Sequence, residues 1–232
     1  MTLKRTNLIP VVAASVLAAS ALGLAAAEAG EEWYSGIYLS ASAGGQSRGR
    51  AAEGSTVWTD FDPGPMANLA LGYRFSRYFR SEVEGTMFHN SAETLSAGPG
   101  LVGPAQGEAF LRAVLLNFYF DYPIKNTRFT PYFGGGVGMY KSYLVDLSNS
   151  TVKPFGFVFD GPSEGERFAY QLRAGVSYAL TDQLDLWGGY RFFDGDKLSF
   201  SFSDVPAPGQ TFTAGPKDTK IHGAELGIRW TF

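Results

Sequence analysis

The chain has 232 residues, 45% of them hydrophobic and 15% aromatic, with 29 glycines, no cysteine and a formal net charge of −3 at pH 7. The missing cysteines exclude disulfides and thiolate metal sites, and so small a net charge gives no electrostatic basis for nucleic acid as a partner. Beyond residue 29 there is no run of about 20 apolar residues, so any later membrane crossing falls to strands rather than helices.

At the start of the chain, Lys4 and Arg5 precede an apolar, Ala-rich run over 8–24, and "AAAEAG" offers small-residue cleavage sites after Ala27 or Ala29. This is the three-part plan of a cleaved secretory signal peptide. The expected organisation is a signal peptide over 1–29 and a single exported domain over 30–232. Strand signals follow in order near 33–45, 66–75, 79–88, 109–121, 130–143, 167–180, 184–192 and 223–232. The clearest is 167–180, which sets Phe168, Tyr170, Leu172, Ala174, Val176, Tyr178 and Leu180 against Arg167, Ala169, Gln171, Arg173, Gly175, Ser177 and Ala179. A period of two held over so long a stretch exceeds an ordinary globular strand. The fourth stretch is apolar on both faces at 114–116, so its facing stays open.

The connections alternate in length. "SRYF", "YPIKNTR" and "TDQ" are short, whereas 46–65, 90–108, 144–166 and 195–218 are each roughly twenty residues, an asymmetry that belongs to outer-membrane barrels with short periplasmic turns and long outer loops. Eight strands leave both termini on the short-turn side. A soluble eight-stranded carrier also alternates, with its apolar face inward around a ligand. Here the apolar faces carry aromatics near strand ends, among them Tyr73, Phe75, Tyr178 and Trp230, while the opposite faces are rich in glycine and charge, as lipid outside and protein inside require.

With the polar faces inward, the lumen receives Arg74, Arg173, Arg191 and Arg229 against Glu82, Glu84, Asp185 and Glu225. Charges inside so narrow a barrel must be paired, which predicts a plug; a narrow channel for small solutes is the alternative. His89, Ser91 and Glu93 in "FHNSAE" superficially suggest a hydrolase set facing lipid, but a three-residue coincidence where a strand leaves the membrane is a weak motif. His222 has no nucleophile near it in sequence. No catalytic, cofactor or metal residue is therefore assigned. In the outer loops Phe155, Phe157, Phe159, Phe200, Phe202 and Phe212 are candidate contact residues; the alternative is that they pack on one another.

The segments "NFYFDY" at 117–122, "TPYFGGGVGMY" at 130–140, "RAGVSYALTDQLDLWGGYRF" at 173–192 and the terminal "GAELGIRWTF" resemble the opacity-type family of small outer-membrane barrels, porin-family proteins similar in plan to the OmpA transmembrane domain. The resemblance implies an all-β, eight-stranded antiparallel up-and-down transmembrane barrel in the outer membrane of a Gram-negative-type bacterium, with loops extracellular and termini periplasmic. It implies outer-membrane lipid, including lipopolysaccharide, as surroundings, and a barrel-assembly machinery that reads Trp230 and Phe232 in the last strand. It further implies a monomer, with envelope-structural and surface-display roles and adhesion to a host or cell-surface partner through the loops. Lipid A modification is a lesser alternative.

Overall fold

The computed structural model describes residues 36–53, 57–97, 100–150, 158–203, 211–214 and 219–232. The expected signal peptide, Phe155 and Phe157 lie outside them. Eight antiparallel strands form a closed ring: β1 (Gly36–Arg48), β4 (Gly64–Ser76), β5 (Phe79–Ala97), β6 (Val102–Asp121), β7 (Phe129–Asn149), β9 (Arg167–Ala179), β10 (Leu184–Gly195) and β13 (Ile221–Thr231). Each pairs with the next in the ring, and β1 returns to β13 through pairs such as Leu39↔Trp230 and Gly45↔Ala224. Five shorter strands, β2 (Ala51–Glu53), β3 (Val57–Phe61), β8 (Phe159–Pro162), β11 (Phe200–Ser203) and β12 (Thr211–Ala214), lie in the long connections.

Period-two alternation decides what each strand shows to either side. On β13 Leu226 is 68% exposed while its neighbour Glu225 is buried. Leu69, Leu71, Leu172, Val176, Leu186 and Ile228 face outward in the same way. At the short-turn end the outer surface carries an aromatic belt in which Phe79 packs on Phe75 and Phe120 at 5.5 Å, and Phe120 stacks on Phe133 at 5.4 Å. The register shifts between Arg74 and Ser76, so Phe75 is packed against Tyr73 and Phe79 and is itself buried rather than open to lipid. β6, whose facing the sequence leaves open, turns Ala109, Leu111, Ala113, Leu115, Asn117, Tyr119 and Asp121 inward and Val114, Phe118 and Phe120 outward. It is apolar on both faces because the interior at that height is itself apolar: Leu111 and Leu115 join Met66, Phe88, Phe193 and Ile221 in one buried cluster.

The described parts of the connections over 90–108 and 144–166 are largely strand rather than the irregular loops that their length and composition suggest. β5, β6 and β7 run for 19, 20 and 21 residues, where about ten suffice to cross a bilayer. Their outer halves project as a wall, widened by β3 on β5, β2 on β3 and β8 on β7. Continued pairing satisfies backbone groups that a loop would leave to water. The connection from β10 to β13 folds inward, burying Leu198 and Phe200 against the cluster that holds Phe61, Leu95 and Leu147. Phe200 is thus a core residue of the barrel mouth, not an exposed contact. Phe202 pairs with Phe212 across the β11–β12 hairpin, which forms a sheet of its own rather than extending β10 and β13.

One glycine sits at a close approach in the barrel interior. Gly72 faces inward beside the fully buried Tyr38, and a Cβ there would overlap the Tyr38 ring and lie 2.7 Å from the Ser81 carbonyl oxygen. Gly72→Val is expected to lower the stability of the refolded barrel by about 1–3 kcal/mol, the usual penalty for overpacking. Urea unfolding checks this; in a Tyr38→Ala background the same substitution should cost measurably less, as coupled neighbours do.

Candidate functional site

The lower interior is assembled by period two. β5 supplies Arg80, Glu82, Glu84 and Thr86 from one face, β9 supplies Gln171 and Arg173, β10 supplies Asp185, Trp187 and Arg191, and β13 supplies Glu225 and Arg229. Arg191 binds Glu84 through both terminal nitrogens, at 2.9 and 3.1 Å, and Glu225 at 3.2 Å. Arg173 spans the same two carboxylates, at 2.5 Å to Glu84 and 2.6 Å to Glu225. Below them Glu82 accepts from Tyr38 at 2.8 Å and Tyr119 at 2.9 Å. Neutral side chains take up some of the remaining valences: Gln171 donates to Asn117 at 2.7 Å, Asn68 to Glu225 at 2.9 Å, and Trp187 to Ser40 at 3.1 Å.

All eight charged residues singled out from the sequence lie in this interior, in two groups. Glu82, Glu84, Arg173, Arg191 and Glu225 form the buried centre, whereas Arg74, Asp185 and Arg229 meet near the short-turn rim, at 3.2 and 3.3 Å. The sequence reading missed Arg80 and Asp121, which pair at 3.0 Å and are both buried, with the Arg80 guanidinium 3.8 Å from the Tyr119 ring centroid. Extending the period from Glu82 and Glu84 back by one step finds Arg80. Asp121 sits on the strand whose facing was open. Together Arg74, Arg80, Arg173, Arg191 and Arg229 face Glu82, Glu84, Asp121, Asp185 and Glu225, so this lower storey is neutral by charge count. The space left among Ser40, Ser42, Glu82, Arg173 and Arg229 is about 10 Å³, room for at most a single water. Above this storey lies the apolar cluster from Leu115 up to Leu198 and Phe200.

Outside the lumen, His89, Ser91 and Glu93 belong to β5 itself and not to a loop. The His89 ring stacks on Phe110 at 4.6 Å and lies 3.5 Å from the Glu108 carboxylate. His222 meets the Tyr190 hydroxyl at 2.5 Å. Among the described residues no group of three or more His, Asp or Glu could hold a metal ion. At the outer mouth Arg48 lies 4.8 Å from the Phe61 ring centroid, and burial pushes its guanidinium down to about 10. Arg50 is held above its ordinary range by its hydrogen bonds to Asp60, at 2.7 Å each. Trp230 and Phe232 are exposed on the outer surface, and the Phe232 amide donates to the Ile37 carbonyl at 2.9 Å.

Truncating a central cation should expose the dependence on pairing. Arg191→Leu leaves Glu84 and Glu225 with Arg173 alone and is expected to cost about 3 kcal/mol, since stranding a buried charge is expensive. Arg74→Leu at the half-open rim should cost under about 1 kcal/mol. Equilibrium urea unfolding of the two variants in the same vesicles checks the contrast.

A family model described as the outer membrane protein beta-barrel domain matches residues 14–232. Outer membrane protein PagN of Salmonella typhimurium is 28% identical over 177 residues, covering 71% of each chain. An uncharacterised protein of Brucella abortus is 30% identical over 199 residues, covering 73% of this chain and 69% of its own. Among solved structures, OprG from Pseudomonas aeruginosa aligns with a TM-score of 0.60 at 16% identity, over 84% of this chain and 96% of its own. Neisserial surface protein A aligns with a TM-score of 0.56 at 21% identity, over 84% and 97%. Together with the eight-stranded ring and its apolar outer band, the matching family model shows that the chain belongs to the outer membrane β-barrel domain family and is a Gram-negative outer-membrane protein.

Proposed function

We propose that this barrel is a closed membrane scaffold whose function is surface display, with the extracellular wall of β2, β3, β5, β6, β7 and β8 as its binding element. The observation that carries the reading is the filling of the interior at two heights, ion pairs below and the apolar cluster with Leu198 and Phe200 above. A filled lumen argues for a monomeric platform over a solute path, and strands twice the length a bilayer needs argue that the surplus works outside it. The signal peptide within 1–29 directs the chain to the periplasm and is cleaved after Ala27 or Ala29, and Trp230 and Phe232 then guide insertion by the assembly machinery. We assign no catalytic step: the His89 ring is stacked on Phe110, and the proximity of His89, Ser91 and Glu93 is a weak motif.

Two measurements bear on this. The refolded barrel, with insertion confirmed, is expected to show no discrete single-channel openings in a planar bilayer; steady openings would replace the scaffold reading with small-solute transport. A variant with the four outer connections shortened is expected to lose adhesion to host-cell surfaces that the parent supports. Retained adhesion would sink the display reading.

A further inference from the structure

Three rows of outward side chains cross β5, β6 and β7 near the upper edge of the apolar band. The upper row is aromatic: His89 stacks on Phe110, and Phe110 is paired with Tyr143 across the strands. The lower row, Gly85, Val114 and Met139, is uncharged. Between them stand Met87, Arg112 and Lys141, with Arg112 directly opposite Lys141. Like charges in direct cross-strand register repel. Glu108, on β6 with Arg112, and Glu166, just before β9, form no ion pair with either cation; Glu108 lies 3.5 Å from the His89 ring nitrogen. Both cations lie against one ring, Arg112 5.5 Å and Lys141 5.7 Å from the centroid of Tyr143.

The height of this pair identifies what lies opposite it. From the lower aromatic belt at Phe120 and Phe133 to the row of Phe110 and Tyr143 is ten residues on each strand, about 34 Å of strand and, at a tilt of about 40°, about 25 Å of height, the thickness of the apolar band. Arg112 and Lys141 are two residues inside the upper boundary. Long cationic side chains rooted there turn up to the headgroup layer, and both converge on the tyrosine that marks it. Two cations in direct register with no ion-pair partner among the described residues match a phosphate.

We propose that Arg112, Lys141 and Tyr143 form a binding site for a phosphate group of an outer-leaflet glycolipid of the lipid A type, held on the outer wall of the barrel. The cations converge on the phosphate, Tyr143 offers its hydroxyl, Met87 lies beside Arg112, and Val114 and Met139 lie along the acyl chains below. The site depends on the outer-membrane location alone and not on the loop reading, so neither stands or falls with the other.

The test uses the complete barrel, residues 30–232, refolded in phosphatidylcholine vesicles, and measures binding of a fluorescent bisphosphorylated lipid A and of its dephosphorylated form. The parent is expected to prefer the bisphosphorylated lipid by about tenfold, since each basic residue at an anionic surface contributes a few-fold. Arg112→Gln/Lys141→Gln is expected to lose that preference while folding as well as the parent in phosphatidylcholine alone, and Arg112→Lys/Lys141→Arg to keep it. Equal binding of both lipids by the parent, or an unchanged preference in the glutamine variant, would overturn the proposal.

Discussion

Closure of β1 onto β13, through registered pairs from Tyr38↔Thr231 to Arg48↔Ile221, allows this chain to sit in hydrocarbon, where no water stands ready for an unpaired N–H or C=O. An open sheet of the same sequence would present two bare edges to lipid. Once the ring closes, each strand has one face in lipid and one in a space too narrow for bulk water. The rest of the structure answers that division.

The inward charges are tolerable only as a set. Glu84 and Glu225 each receive both Arg173 and Arg191, and the polar amides and hydroxyls around them occupy the remaining lone pairs. Such a network adds little net stability over apolar packing of the same volume. Its effect on register is stronger. A slip of one residue on β13 would turn Glu225 into lipid and Leu226 into the ion pairs, reversing every side chain on the strand. The network therefore penalises every alignment but one, and the penalty grows with each charged strand that joins.

Above the ion pairs the design changes. The apolar cluster around Phe88, Leu111 and Phe193 replaces charge by packing, and the connection from β10 to β13 closes it with Leu198 and Phe200. The long strands stand on that filled base. Length outside the membrane carries no hydrocarbon constraint, so the wall can grow by adding β3, β2 and β8 at its edges, while the opposite side of the ring stays short.

The sequence by itself determined the eight strands of the ring, the short-turn side on which Gly36 and Phe232 lie and the facing along most of each well-phased strand. Period-two alternation is a local property: Leu172 and Arg173 cannot share a side of one strand whatever surrounds them. What only the tertiary structure decided is everything that depends on neighbours across the ring. β6 reads as apolar on both faces until the apolar upper storey explains Leu111 and Leu115, and Asp121 finds its role only when Arg80 stands opposite. The connections over 90–108 and 144–166 read as loops because their glycines and prolines are local signals, whereas their pairing partners lie on other strands. Phe200 looks like a loop contact in a run of Phe and Ser, yet the mouth of the barrel offers it an apolar place. Which partner is available is a matter of closure, and closure joins residues nearly two hundred positions apart, as in Leu39↔Trp230, beyond the reach of any pattern read along the chain.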